Sequence, residues 1–278
     1  MSDYYLEQIK KQEVPVITFE KLNNIPFLKH GFSTRLGGVS EGIFSSLNLS
    51  FNRGDSREHV MENYRRIAKA IGFELSHLVL SAQTHTTNVR LVTKKDCGNG
   101  ITRENAFMDV DGLITAEDNV VLGTTYADCV PLYFADVKNK AIGLSHSGWR
   151  GTVNRMGAVT IRRMQEEFGT RPEDLICAIG PSICQNCYEV DDTVIQEFQK
   201  NFSDRDREEI YYKTNNGKYQ LNLWKANELI LTEAGVKPEH IDNRRICTCC
   251  NRDILFSHRG LNGKRGNLSA FLYKSPIK

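Results

Sequence analysis

The chain has 278 residues, 40% hydrophobic and 25% charged, with a formal net charge of +2. That composition is globular and long enough to bury a large core, as one big domain or two tightly joined halves. So small a net charge gives no broad electrostatic ground for expecting nucleic acid or an anionic membrane, and any positive site has to be built locally.

The chain opens with MSDYYLEQIKKQE, polar and partly acidic, without the basic-then-apolar layout of a signal peptide. The most apolar stretch, 120–135, is interrupted by Asp128 and falls short of a membrane span. A cytoplasmic protein is expected. Runs rich in β-branched and apolar residues predict strands over 14–19, 78–81, 88–92, 112–115, 120–125, 131–136, 141–146 and 175–179. Helices are predicted over 57–71, with Ser56 as N-cap, and over 152–168, 193–202 and 223–234. This order is not a regular strand–helix alternation, which favours α+β with mixed sheets over a doubly wound nucleotide fold. Neither a GxGxxG turn opening a helix nor a P-loop occurs.

Eight cysteines are present, and in a reduced compartment metal binding, catalysis or burial is expected before disulfides. Cys184-x-x-Cys187 has redox-type spacing, and Cys247-x-Cys249-Cys250 is a dense cluster. Neither reads as matched by a second half at zinc-finger spacing, so each alone is a weak signal.

Three segments place a metal ligand beside small or polar residues at the end of an apolar run: SAQTH ending at His85, YADCVP around Cys129, and GLSHSGWRG around His146. Strand ends and the loops after them are where rigid scaffolds present catalytic groups. Two imidazoles and one thiolate suit Zn²⁺, and three protein ligands leave a fourth position open, as in catalytic sites. Asp128, beside Cys129, is the carboxylate expected to move protons. The competing structural reading is a buried cysteine and two ordinary histidines, because free cysteine is among the most buried residue types. Arg35 lies in the flexible STRLGGVSEG loop, and Trp149–Arg150 could stack on a planar base and grip a phosphate. The structural alternatives there are an ordinary turn and a buried Trp with a surface Arg.

The segments HGFSTRLGGVSEGIFSSLNLS, ENYRRIA, SAQTHTTNV, DVDGLIT, ADCVPLYFAD, SHSGWRGTV, GPSICQNCYEV and CTCCNRDILFSHRG, in this order from residue 30 to residue 272, are very similar to the laccase-domain family. These are also called polyphenol-oxidase-like or YfiH-type proteins, and many bacterial members are named purine nucleoside phosphorylase. The resemblance implies an α+β fold of mixed sheets flanked by helices with internal pseudo-duplication. It implies one catalytic domain over 1–278, with 1–12 a loosely ordered segment. It implies His85, Cys129 and His146 as zinc ligands, with copper an alternative metal. It further implies phosphorolysis of adenosine, inosine, guanosine and methylthioadenosine, and hydrolytic deamination of adenosine. The partners expected are a purine nucleoside and phosphate, for a monomer or homodimer without nucleic acid or membrane. Under that reading Asp128 and Cys129 are catalytic, Arg35 and Arg150 bind phosphate, and Asn48 contacts the nucleoside. Gly263-Lys264-Arg265-Gly266-Asn267 departs from the family's usual G-K-T-G-R, so Arg265 receives no role, and Cys249 stands where an aromatic residue is common.

Three rivals use the same residues. A copper phenol oxidase would exploit a Cys–His₂ set, but seven histidines are too few for a trinuclear cluster plus a blue site. A peptidoglycan-precursor amidase would use Cys129 as nucleophile with His85 or His146 as base. A non-enzymatic binding module would close a structural metal site with Cys184 or Cys187 as fourth ligand.

Overall fold

The computed structural model describes residues 2–275. Its strands are β1 (Val16–Ile17), β2 (Leu28–Ser33), β3 (Leu78–Leu80), β4 (Val89–Leu91), β5 (Gly112–Thr115), β6 (Val121–Tyr126), β7 (Val130–Asp136), β8 (Ala141–Ser147), β9 (Leu175–Ile179), β10 (Glu189–Val190), β11 (Tyr211–Lys213), β12 (Tyr219–Leu221), β13 (Ile241–Asn243) and β14 (Leu268–Lys274). The helices are α1 (Ser2–Ile9), α2 (Glu20–Asn23), α3 (Arg57–Ile71), α4 (Trp149–Val153), α5 (Met156–Phe168), α6 (Asp192–Asn201), α7 (Asp204–Ile210) and α8 (Leu223–Glu233).

Two mixed sheets, ordered β1-β2-β14-β6-β3 and β13-β9-β7-β8-β5-β4, carry the fold, beside a small antiparallel β10-β12-β11 sheet. Successive side chains on a strand point to opposite faces, and that alternation sorts the core into three layers. Tyr133 and Ala135 of β7, with Ile142 and Leu144 of β8, join Leu122 and Leu272 of the other sheet in one cluster between the sheets. Leu132 and Phe134 point the other way, against Ile161, Met164, Ile230 and Leu231 of α5 and α8. On the far side Phe271 and Tyr273 meet Val60, Tyr64 and Ile67 of α3. The order is helix, sheet, sheet, helices, which makes the fold α+β as the sequence predicts.

The two large sheets repeat one pairing pattern. Each starts from a parallel pair, β3–β6 or β4–β5, and continues through three antiparallel pairs, β6–β14–β2–β1 or β5–β8–β7–β9. The six-stranded sheet adds β13, parallel to β9, so the pattern recurs over five strands and in a different chain order.

All seven residues of β7 and of β8 are buried. A fully buried Leu, Ile or Phe contributes about 1.5–3 kcal/mol, so these strands form a rigid base for whatever their ends carry. α3 spans the predicted residues, with Ser56 Oγ accepting from His59 N and Gly72, at φ 91°, closing the C-terminus. Where one helix over 152–168 was expected, α4 and α5 are separated by Arg155 at φ 60°. A left-handed residue cannot continue a right-handed helix. Within the segment 1–12, α1 buries Leu6 and Ile9 in the inter-sheet core.

Candidate metal centre

The site grows from the ends of the central strands. His146 follows Ile142 and Leu144 on the inward face of β8, opposite Pro131 of β7. It is buried, with its ring 5.4 Å from that of Tyr126. Cys129 sits in the tight connection between β6 and β7, directly after Asp128 at φ 85°. His85 lies in the loop between β3 and β4 at φ 67°, exposed, with its ring centroid 4.9 Å from that of His146. The donor atoms of His85, Cys129 and His146 all lie within 4.8 Å of one another. The group grades from exposed His85 through half-buried Cys129 to buried His146, so it is approached from the His85 side. Left-handed backbone at a non-glycine residue costs about 1–3 kcal/mol and persists only where the surroundings impose it; here it recurs at His85, Asp109 and Asp128.

At His85 a carboxylate within DVDGLIT imposes it, one that residue spacing did not single out. Asp111, fully buried, accepts from His146 Nδ1 at 2.8 Å and from the backbone N–H groups of Thr84, His85 and Thr86. One side chain therefore orients the buried histidine and shapes the loop that carries the exposed one. With Nδ1 so engaged, His146 presents Nε2, as in carboxylate–histidine–metal arrangements. Asp109 braces the same loop through Thr86 Oγ1 at 2.8 Å and Asn88 Nδ2 at 2.7 Å.

The electrostatics favour a Cys129 thiolate facing a charged His146. Burial opposes ionisation of Cys129, but the charge of His146 and hydrogen bonds from His146 and His85 outweigh it and lower the thiol to about 6. Burial likewise works against a charged His146, yet Cys129 and Asp111 raise it to about 9. Asp111 is held below the usual carboxylate range: burial pushes it up, and the His146 and backbone hydrogen bonds more than reverse that. The mouth is kept small as well. A Cβ on Gly148 would lie 3.0 Å from Cys129 Sγ and 3.2 Å from His85 Cδ2.

The other expected site residues fare differently. Both oxygens of Asp128 are already taken, by Thr248 Oγ1 at 2.6 Å and Arg259 N at 2.7 Å, so its carboxylate ties down the 248–259 segment. Asn48 is buried and spends its amide on Ser50, Asp55 and the Asn267 N–H; it braces loops. Half-buried Arg35 donates to the carbonyls of Ser45 and Arg252 and lies over the Phe256 ring, so its guanidinium ties loops together. Arg150 is exposed, its guanidinium 4.3 Å above the Trp149 ring, and among the described residues its side chain donates no hydrogen bond. Beside Thr84 opens a groove of about 900 Å³ lined in part by Phe51, Arg53, Arg57 and Asp109. Arg265 is within electrostatic reach of Asp128 and Cys129, which burial and Arg53 counter, leaving it pushed down to about 10. Cys184 and Cys187 do not close the triad. They gather elsewhere, with Cys247 and Cys250.

The family model described as multi-copper polyphenol oxidoreductase laccase matches residues 29–274. The purine nucleoside phosphorylase YlmD of Geobacillus stearothermophilus is 38% identical over 243 residues, 87% of this chain and 88% of that one. The adenosine deaminase RL5 of an unknown prokaryotic organism is 31% identical over 264 residues, covering 93% of this chain and 100% of that one. The crystal structure of Bacillus licheniformis protein YfiH superimposes with a TM-score of 0.85 at 34% identity, covering 88% of this chain and 92% of that one.

Proposed function

This chain belongs to the multi-copper polyphenol oxidoreductase laccase family, and from that premise we propose that it is a zinc-dependent purine nucleoside enzyme carrying out phosphorolysis and hydrolytic deamination. The observation that carries the reading is the convergence of His85, Cys129 and His146 within 4.8 Å, with no fourth protein donor in that group among the described residues. The relatives named purine nucleoside phosphorylase and adenosine deaminase supply the substrate class.

The donor set fits zinc. Two imidazoles and a thiolate match its borderline softness, the lowered Cys129 thiol provides the thiolate, and Asp111 fixes which His146 nitrogen faces it. When bound, zinc supplies Lewis-acid polarisation of a reacting oxygen. The chain's own residues do the rest. Exposed Arg150, stacked on Trp149, offers a guanidinium to an anion such as phosphate. Phe51, Arg53 and Arg57 line a groove that reaches the His85 loop and can receive a planar base with its sugar. Buried Asp128 anchors the segment ahead of Cys129 and acts by positioning.

Adenosine is incubated with purified protein, with and without phosphate, and the products and bound metal are identified. Adenine with ribose phosphate, dependent on phosphate, and inosine without it are expected; both disappear with a chelator and return with Zn²⁺. Full turnover by metal-free protein, or activity restored by copper alone on phenols, overturns the reading.

A further inference from the structure

Away from the triad, the two cysteine motifs that looked unrelated in the sequence converge. The sulfurs of Cys184, Cys187, Cys247 and Cys250 all lie within 4.8 Å of one another. The motif Cys247-x-Cys249-Cys250 contains a second Cys-x-x-Cys, residues 247 and 250, which is the matching half of Cys184-x-x-Cys187. Cys249, between them, is outside the group.

We propose that these four cysteines hold a zinc ion in a closed, tetrahedral, structural site. The reading goes beyond the catalytic one and does not depend on it. The spacing argues for it first. Cys250 Sγ lies 3.5 Å from Cys187 Sγ and 3.9 Å from Cys184 Sγ. Four sulfurs each about 2.3 Å from a central zinc stand about 3.8 Å apart along the edges of a tetrahedron. A disulfide would bring two of them to about 2.05 Å, and all eight cysteines are free. Four sulfurs, two from each arm, also exceed what a dithiol redox pair needs.

The backbone argues for it second. Cys247 Sγ accepts N–H bonds from Cys184 at 3.2 Å and from Cys250 at 3.4 Å. Each arm thus directs an amide at the most buried sulfur, and such donors favour the thiolate. Backbone bonds lock the arms together independently of any ion: Ser182 N donates to Ile246 O and Thr248 N to Ser182 O, both at 3.2 Å. The cage is therefore preorganised. A closed four-thiolate set is the structural kind of zinc site, in contrast to the three-donor triad.

The position gives the site a purpose. Thr248, between Cys247 and Cys250, donates to Asp128 Oδ1, and Ile183, next to Cys184, donates its N–H to Asp128 O at 3.0 Å. Both arms thus grip the residue that precedes Cys129. Metal in the four-cysteine cage would fix the ground on which the triad's thiol stands.

The test uses the full chain, purified with Zn²⁺ as the only added metal. The double variant His85→Ala/His146→Ala is expected to retain one zinc per chain by native mass spectrometry. X-ray absorption should show it surrounded by four sulfurs at about 2.3 Å. With the triad intact, Cys187→Ser/Cys250→Ser loses one zinc equivalent relative to the parent. The unmodified chain provides a readout free of folding artefacts. Cys184, Cys187 and exposed Cys250 should resist alkylation, then react at least tenfold faster once a chelator is added. A triad-less variant with no zinc, an intact mass two hydrogens light from a disulfide in the cluster, or alkylation equally fast before and after chelation each overturns the proposal.

Discussion

The molecule gathers soft donors in two places, and the contrast between them separates the proposed reactive site from the proposed supporting one. At His85, Cys129 and His146 three donors grade from solvent to core, and a glycine guards the mouth. At Cys184, Cys187, Cys247 and Cys250 four like donors face one another, and backbone N–H groups aim at the most buried sulfur. The triad's residues come from separate elements, and Asp111 braces two of them, His146 through its ring and His85 through its backbone. The cysteine arms are joined directly to each other by main-chain hydrogen bonds. Three donors from separate elements need an outside brace; four on two arms bonded to each other do not.

The strongest way to break this contrast is to exchange a ligand on each side. Cys129→Ser should lower turnover on adenosine by at least roughly a hundredfold, more than an outer-shell change, and remove one zinc per chain. Cys250→Ser should leave measurable turnover while also losing a zinc. Equal activity loss in steady-state assays of the two variants would erase the distinction.

Asp111→Asn tests whether the carboxylate is the triad's aligning device. It should weaken zinc binding at the triad by about 10–100-fold, seen in competition titrations against a chelator, while the sulfur-only X-ray absorption signature is unchanged. An affinity within twofold of the parent would assign alignment to the strands instead.

The smallest effect is on pH. In metal-free protein Cys129 titrates near 6 and His146 near 9. Both partners are charged between those values. The lowered thiol contributes stability above its ordinary pKa that is lost as pH falls through about 6. The raised imidazole contributes stability below its ordinary pKa that is lost as pH rises through about 9. A metal must displace the proton on His146, so triad affinity should rise about tenfold per pH unit between 6 and 9 and level off above. Below 6 the thiol is protonated too, and the slope should steepen. Zinc titrations of Cys187→Ser/Cys250→Ser at several pH values isolate this dependence, and a flat profile from 6 to 9 would contradict the ion pair.

Local patterns made much of the fold readable. α3 lies where a capping serine, a helical period and a following glycine place it. β5 and β9 match the apolar runs at 112–115 and 175–179. The strands β2 and β14, central to their sheet, were not legible. LKHGFS has no apolar run, because His30 and Ser33 are buried among distant partners: His30 Nε2 accepts from Phe19 N and Ser33 Oγ from Ser269 N. That His85, Cys129 and His146 come together was indicated by motif resemblance, whereas residue spacing alone left it open.

Chain chemistry by itself settled which segments could be helix or strand, and which side chains had the softness to hold a metal, since these follow from periodicity over a few residues and from ligand type. It did not settle which donors meet. That Cys247 and Cys250 complete the pair at Cys184 and Cys187, that Asp111 lies beneath His146, and that Arg35 and Asn48 tie loops together all depend on segments tens to hundreds of residues apart being packed together. Such convergence is set by burial of both faces of two sheets, and no local pattern encodes it.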